Sequence, residues 1–136
     1  MTTEEQEKLA RIQFEAAELS IKQNRKFAYS ETKQEVAAAA VTTLTINVPY
    51  KEDRIYTITN IAAADETSAS KQIDLYFQAG GQKHLIKTGS TGTNKDSIGQ
   101  QCEIITGENT AFLAVYTTPT ASDKLRFSII GHYVQR

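Results

Sequence analysis

Hydrophobic residues recur along this chain with two different periods, and the change from one to the other divides it. Up to about residue 28, Leu9, Ile12, Ala16 and Leu19 fall three and four positions apart, the spacing that lines one face of an α-helix. Phe14, Ala17 and Ile21 widen that stripe on a neighbouring face. Thr3 and Gln6 have the spacing of a capping box, in which hydroxyl and amide satisfy backbone donors left over at a helix start. Glu4, Glu5 and Glu7 crowd the first turns while Lys22, Arg25 and Lys26 crowd the last, the order that complements a helix dipole. At 1.5 Å per residue the predicted helix is roughly 35–40 Å long, more than a small domain needs as a lid. Ala28 to Glu35 is polar and without a period, and reads as a linker or extended arm.

From Val41 the period is two. Leu44, Ile46 and Val48 alternate with polar residues until Pro49, which ends the run because it has no N–H to give a ladder. Alternation resumes over 54–62, 73–77, 84–87, 98–104, 112–116 and 124–134, with Gly80-Gly81 marking a turn. Residues 88–97 read as a polar loop, and the glycines of Gly89-Ser90-Thr91-Gly92 as turn residues. The run around Phe112 to Tyr116 is apolar on both faces, as a strand buried on both sides would be. The pattern therefore predicts a mainly β fold. It is an antiparallel β-sandwich or jelly-roll-like barrel of about seven or eight strands, with an N-terminal helical arm. The arm and linker occupy 1–35 and the sandwich 36–136. Ile46, Val48, Ile58, Ile73, Leu75, Phe77, Leu113, Leu125, Phe127 and Ile129 form the expected core.

Composition narrows the function. About one residue in eight is Thr, in keeping with strands. The 15 Lys+Arg against 16 Asp+Glu leave a net charge of -1, without the basic excess of a dedicated nucleic-acid binder. The arm carries seven acids and six bases, the sandwich nine of each, so the sandwich is neutral. One Cys excludes an internal disulfide framework and a multi-thiolate metal site. The polar start MTTEEQEKLARIQ does not resemble a signal peptide, and no apolar run is long enough for a membrane helix. A soluble protein made in a reducing cytoplasm is expected, with neither nucleic acid nor membrane as partner.

Candidate chemistry is sparse. His84 and His132 have no nucleophile or orienting acid beside them, no G-x-S-x-G is present, and no cluster has metal-ligand spacing. Cys102 reads as a buried core thiol, and the pairs Glu52-Asp53 and Asp65-Glu66 as solvated loop acids. No catalytic, cofactor or metal residue is predicted, and the protein is not expected to be an enzyme. Tyr50, Tyr76 and Tyr116 are the exposed-aromatic candidates for a carbohydrate site. The sharpest functional signal is the helix stripe Leu9, Ile12, Ala16, Leu19. It packs either on the chain's own sheet or on another subunit, and the polar stretch after it favours a partner slightly.

A resemblance adds to this reading. Leu44-Thr45-Ile46-Asn47-Val48-Pro49 leads through a charged loop to Arg54-Ile55-Tyr56-Thr57-Ile58. There follow Lys71-Gln72-Ile73-Asp74-Leu75, a Gly-Gly turn, the Gly107 loop, and Ala121-Ser122-Asp123-Lys124-Leu125-Arg126-Phe127. Over residues 41–134 this order resembles the small β-sandwich virion modules of tailed bacteriophages. The resemblance implies a capsid decoration (cement) protein, or a head–tail, neck or fibre-attached accessory protein. It implies localisation in the virion after assembly in the host cytoplasm, with the major capsid protein or another virion protein as partner. It also implies a homo-oligomer, often a trimer at a three-fold position.

Overall fold

The computed structural model describes residues 2–37 and 41–136, with side chains for all of these except 18–24. The helix α1 spans Thr3–Asn24. Its capping box lies one residue before the expected pair: the Thr2 hydroxyl accepts from Glu5 N–H and a Glu5 carboxylate oxygen accepts from Thr2 N–H, both at 3.2 Å. A carboxylate at this place satisfies a donor and also adds charge favoured at the positive helix end. Arg25 is extended and closes the helix.

Eight strands follow: β1 (Lys26–Val36), β2 (Val41–Asn47), β3 (Arg54–Asp65), β4 (Gln72–Ala79), β5 (Gln82–Ser90), β6 (Ile98–Ile105), β7 (Thr110–Thr117) and β8 (Lys124–Gln135). The stretch expected to be a linker is therefore β1, paired with β8 along its whole length from Lys26↔Val134 to Val36↔Lys124. It lacks a hydrophobic period because charged residues occupy its alternate positions beyond Tyr29, at the edge of the sheet. Only Phe27 and Tyr29 are half-buried near its start, and beyond them the alternate positions are Glu31, Lys33 and Glu35. Ladder bonds hold it, helped by Lys33 Nζ donating to the Thr45 carbonyl at 3.4 Å. Charged side chains on an edge also discourage pairing with foreign strands.

Two antiparallel four-stranded sheets result, in the orders β1-β8-β3-β6 and β2-β7-β4-β5. Every connection but the β4–β5 hairpin crosses from one sheet to the other, and the first strand lies beside the last. That is the eight-stranded jelly roll, with the sheets stacked as a sandwich rather than closed into a barrel. Gly80 and Gly81 form the two-residue hairpin turn, both at positive φ (58° and 86°) as mirror-image turns demand. Gly89 and Ser90 belong to β5, so that strand runs further than its sequence suggested, and the loop starts at Thr91.

The core fills the space between the sheets. Of the expected core, Ile46, Val48, Ile58, Ile73, Leu75, Leu113, Leu125, Phe127 and Ile129 are buried. Phe77 is half-buried, its ring 5.9 Å from that of Phe112. Leu44, Tyr56, Phe112 and Tyr116 complete the interior. β7 is central in its sheet and buried from Thr110 to Ala114. Threonines do more than pack on strands: Thr67 Oγ1 accepts from Lys124 N–H at 3.0 Å, and the buried Thr91 Oγ1 from Lys71 N–H at 2.9 Å. These hydroxyls satisfy loop donors that no ladder reaches.

Candidate functional site

The residues with chemical potential are dispersed. His84 is exposed on β5 and stacks on Phe77, ring centroids 5.6 Å apart. His132 is half-buried on β8 with Thr57 as its cross-strand partner. The Cys102 thiol lies 3.5 Å from the Ile58 carbonyl, and burial raises its pKa, which lowers the thiolate fraction on which reactivity depends. Cys102 is half-buried rather than fully enclosed. Among the described residues no three His, Cys, Asp or Glu side chains gather to hold a metal. Two open depressions of about 240 and 350 Å³ adjoin at Glu66. They hold the exposed Glu66–Arg126 ion pair, 3.5 Å long, and neither histidine nor cysteine. Tyr116 is enclosed in the core, its hydroxyl donating to the Arg126 carbonyl at 2.6 Å with its pKa pushed up by burial. The three tyrosines suggested for a sugar site therefore do not form one face. Asp65, expected in solvent, is buried at the end of β3.

The helix is different. Leu9 is 45% exposed, Ile12 57% and Phe14 70%, and Ala16 is exposed too. The described part of the stripe is thus not covered by the chain's own sandwich. The Leu19 side chain lies outside the described residues.

What the helix stands on was hidden in the sequence. Arg25 alone separates α1 from β1, and β1 is held at its start by an aromatic row running across three strands. Phe27 stacks on its cross-strand partner Tyr133 at 5.1 Å, Tyr133 meets Tyr56 at 5.1 Å, and Tyr29 meets Tyr56 edge-on at 5.0 Å. Such pairs contribute about 0.5–1.5 kcal/mol each beyond their burial. The Arg54 guanidinium lies 4.6 Å above the Tyr133 ring and that of Arg25 5.0 Å above Phe27, both within reach of cation–π attraction. Burial and the negative charge of Glu31 push the Tyr29 hydroxyl well above its ordinary pKa, so it stays neutral. The only trace of this root in the sequence is Phe27-x-Tyr29, a two-residue period inside a stretch that otherwise has none.

Fold and helix together define the class: an eight-stranded jelly roll carrying a helix with an uncovered apolar stripe. No family model and no curated protein matches the chain. Some solved structures are similar to it over most of its length. The NLP core of Drosophila, described for pentamer formation and histone binding, is 12% identical, covers 82% of this chain and 98% of its own, and gives a TM-score of 0.42. The virus-like particle of extra small virus from the giant freshwater prawn Macrobrachium rosenbergii is 12% identical over 82% and 80%, TM-score 0.43. A Bacillus endospore appendage protein, from disulfide-linked pili, is 12% identical over 84% and 94%, TM-score 0.44.

Proposed function

We propose that the chain is a non-enzymatic structural subunit of a virion, and specifically a bacteriophage capsid decoration (cement) protein. It acts by burying surface on copies of itself and on the major capsid protein. The observation that carries the reading is the exposed stripe Leu9–Ile12–Ala16 on a helix mounted on the sandwich through a single residue. We assign a second copy of the chain as its occupant. Leu9, Ile12, Ala16 and Leu19 follow a three-four-three spacing, the a and d positions through which like helices pack. The neutral sandwich imposes little repulsion on copies brought side by side. A trimer at a three-fold position fits this arrangement, the sandwiches then lying on the shell.

Leu9→Asp tests the helix. Burying one leucine is worth about 1.5–3 kcal/mol, so self-association should weaken by at least about tenfold with the melting temperature of the sandwich unchanged. Sedimentation equilibrium of both proteins reads the first quantity and calorimetry the second. The capsid assignment is read by co-sedimentation with phage shells lacking their decoration protein. A wild-type chain that is strictly monomeric and does not pellet with shells overturns the proposal. Pelleting with tails or necks alone would make it a neck or tail accessory protein instead.

A further inference from the structure

The loop end of the sandwich holds two buried carboxyls facing each other. Asp65, last residue of β3, is 0% exposed, and Asp123, just before β8, is 1% exposed. Loops rather than the deep core enclose them. Asp65 Oδ1 accepts from Thr67 N–H at 3.0 Å and Ser68 N–H at 2.9 Å. Asp123 Oδ1 accepts from the Ser68 hydroxyl at 2.7 Å, and its Oδ2 from Thr120 N–H at 2.9 Å. Asp65 Oδ2 is buried and has no donor among the described residues, while Ser68 bridges the two carboxyls, its N–H on Asp65 and its hydroxyl on Asp123. An acceptor buried against another acceptor is costly unless a proton lies between them.

We propose that Asp65 and Asp123 share a single proton at neutral pH, Asp65 Oδ2–H donating to the Asp123 carboxylate, and that this pair is a pH-sensitive clasp for the loop end. Three connections between the sheets meet there. Ala37 N–H, after β1, donates to the Asp123 carbonyl at 2.8 Å, and Ser122 N–H returns to the Ala37 carbonyl at 3.0 Å. Glu66 N–H, after β3, donates to the Lys124 carbonyl at 2.8 Å. Between β7 and β8, Thr120 accepts from Asp123 N–H at 3.0 Å.

Charged and titratable neighbours come from each element around the pair. Lys71, in the β3–β4 connection, favours the ionised form of Asp123 and donates to the Thr118 carbonyl at 3.2 Å. Tyr116, on β7, senses the charges of Asp65 and Glu66. Glu35 on β1, Glu66 after β3 and Lys124 on β8 line the neighbouring depression, and Arg126 on β8 pairs with Glu66. Among the described residues Lys71 is the cation that favours the ionised form of Asp123, while desolvation disfavours that of Asp65, so the two acids separate. Desolvation and Asp123 raise the pKa of Asp65. Asp123 goes the other way: burial opposes its ionisation, but hydrogen bonds from Asp65, Ser68 and Thr120, with Lys71, outweigh it.

The raised group contributes stability at low pH that is lost as pH rises through its folded-state value, above the ordinary carboxylate range. The lowered group contributes stability above that range, lost as pH falls through its own depressed value. The singly protonated clasp is most stable between these limits.

The test follows the side-chain carboxyl carbons of the full chain by NMR, together with amide exchange at Ala37, Thr67, Ser68 and Thr120. The expected result is one aspartate titrating well above the ordinary range. The protection factors of these amides should fall at least about tenfold between about pH 6 and about pH 9. In Asp65→Asn the amide Nδ2 takes the place of the protonated oxygen and donates to Asp123 without titrating, so the high titration and the alkaline loss should both disappear. Two aspartates titrating in the ordinary range in the wild-type chain would overturn the proposal, whether or not the variant folds. So would an unchanged alkaline loss in Asp65→Asn. Stabilisation by added calcium, reversed by chelation, would assign the site to a cation instead and overturn the shared proton.

Discussion

Replacing Gly131 by alanine should destabilise the sandwich by about 3 kcal/mol, at the upper end for overpacking of a well-packed interior. Gly131 lies on β8 opposite Ile58, beside the irregularity in β3 between Ile58 and Asn60. A methyl group there would overlap the Thr57 carbonyl oxygen and lie 2.9 Å from the Ile58 Cα. All of these are backbone atoms, so no flexible side chain can swing aside. β3 itself is ladder-bonded to β8 on one edge and β6 on the other, and relieving the clash means shifting a strand at the centre of its sheet. The missing side chain, rather than a special backbone angle, is what the position requires. Denaturant titration reads the loss as a lower midpoint at unchanged slope. A change below about 1 kcal/mol would show that the strands separate more easily than this packing implies.

The alternation of Leu125, Phe127 and Ile129 was legible because β8 is central, with one face on the core and the other outside. Alternation located β4 in the same way, and also β2, an edge strand whose alternate side chains Leu44 and Ile46 are buried; β7 was legible instead as a short run apolar on both faces. Alternation failed at β1, whose inward positions after Tyr29 are polar. Pairing with β8 makes it a strand, and the residues of that partner are at the opposite end of the chain. Asp65 failed for a related reason. Ala-Asp-Glu-Thr-Ser has the composition of a turn, and nothing local announces that Asp123 will seal it. The helix was legible as a helix, since its stripe, charges and cap are all local. What holds it was not, because the aromatic row exists only after three strands align Phe27, Tyr133 and Tyr56.

That row has a consequence for assembly. A helix joined by a flexible linker would lose much orienting freedom when it met a partner, and that entropy would weaken association. Here the polar stretch after the helix is strand rather than spacer, and its first residues are stacked on the body. The stripe is presented from a fixed base, which favours self-association through the helix under the proposed reading.

The second large effect is expected at Phe112. Its alanine variant should lose about 3–5 kcal/mol, as phenylalanine truncation in a core does when the cavity cannot close. Phe112 is fully buried on β7, with Phe77 as its ring partner. It lies between Ile46 on β2 and Phe77 on β4 in the ladder. Collapse into the space is opposed from both edges, because β7 is hydrogen-bonded to both neighbouring strands, and from across the core by the other sheet. The tilted ring pair adds about 0.5–1.5 kcal/mol to the loss. Phe112→Leu, which keeps most of the volume, should lose less than half as much. Denaturant unfolding of the two variants separates transfer and cavity costs from the specific ring contact. Equal losses in both would place the energy in the aromatic pair, and a loss below about 1.5 kcal/mol in Phe112→Ala would mean that the two sheets can close over the gap.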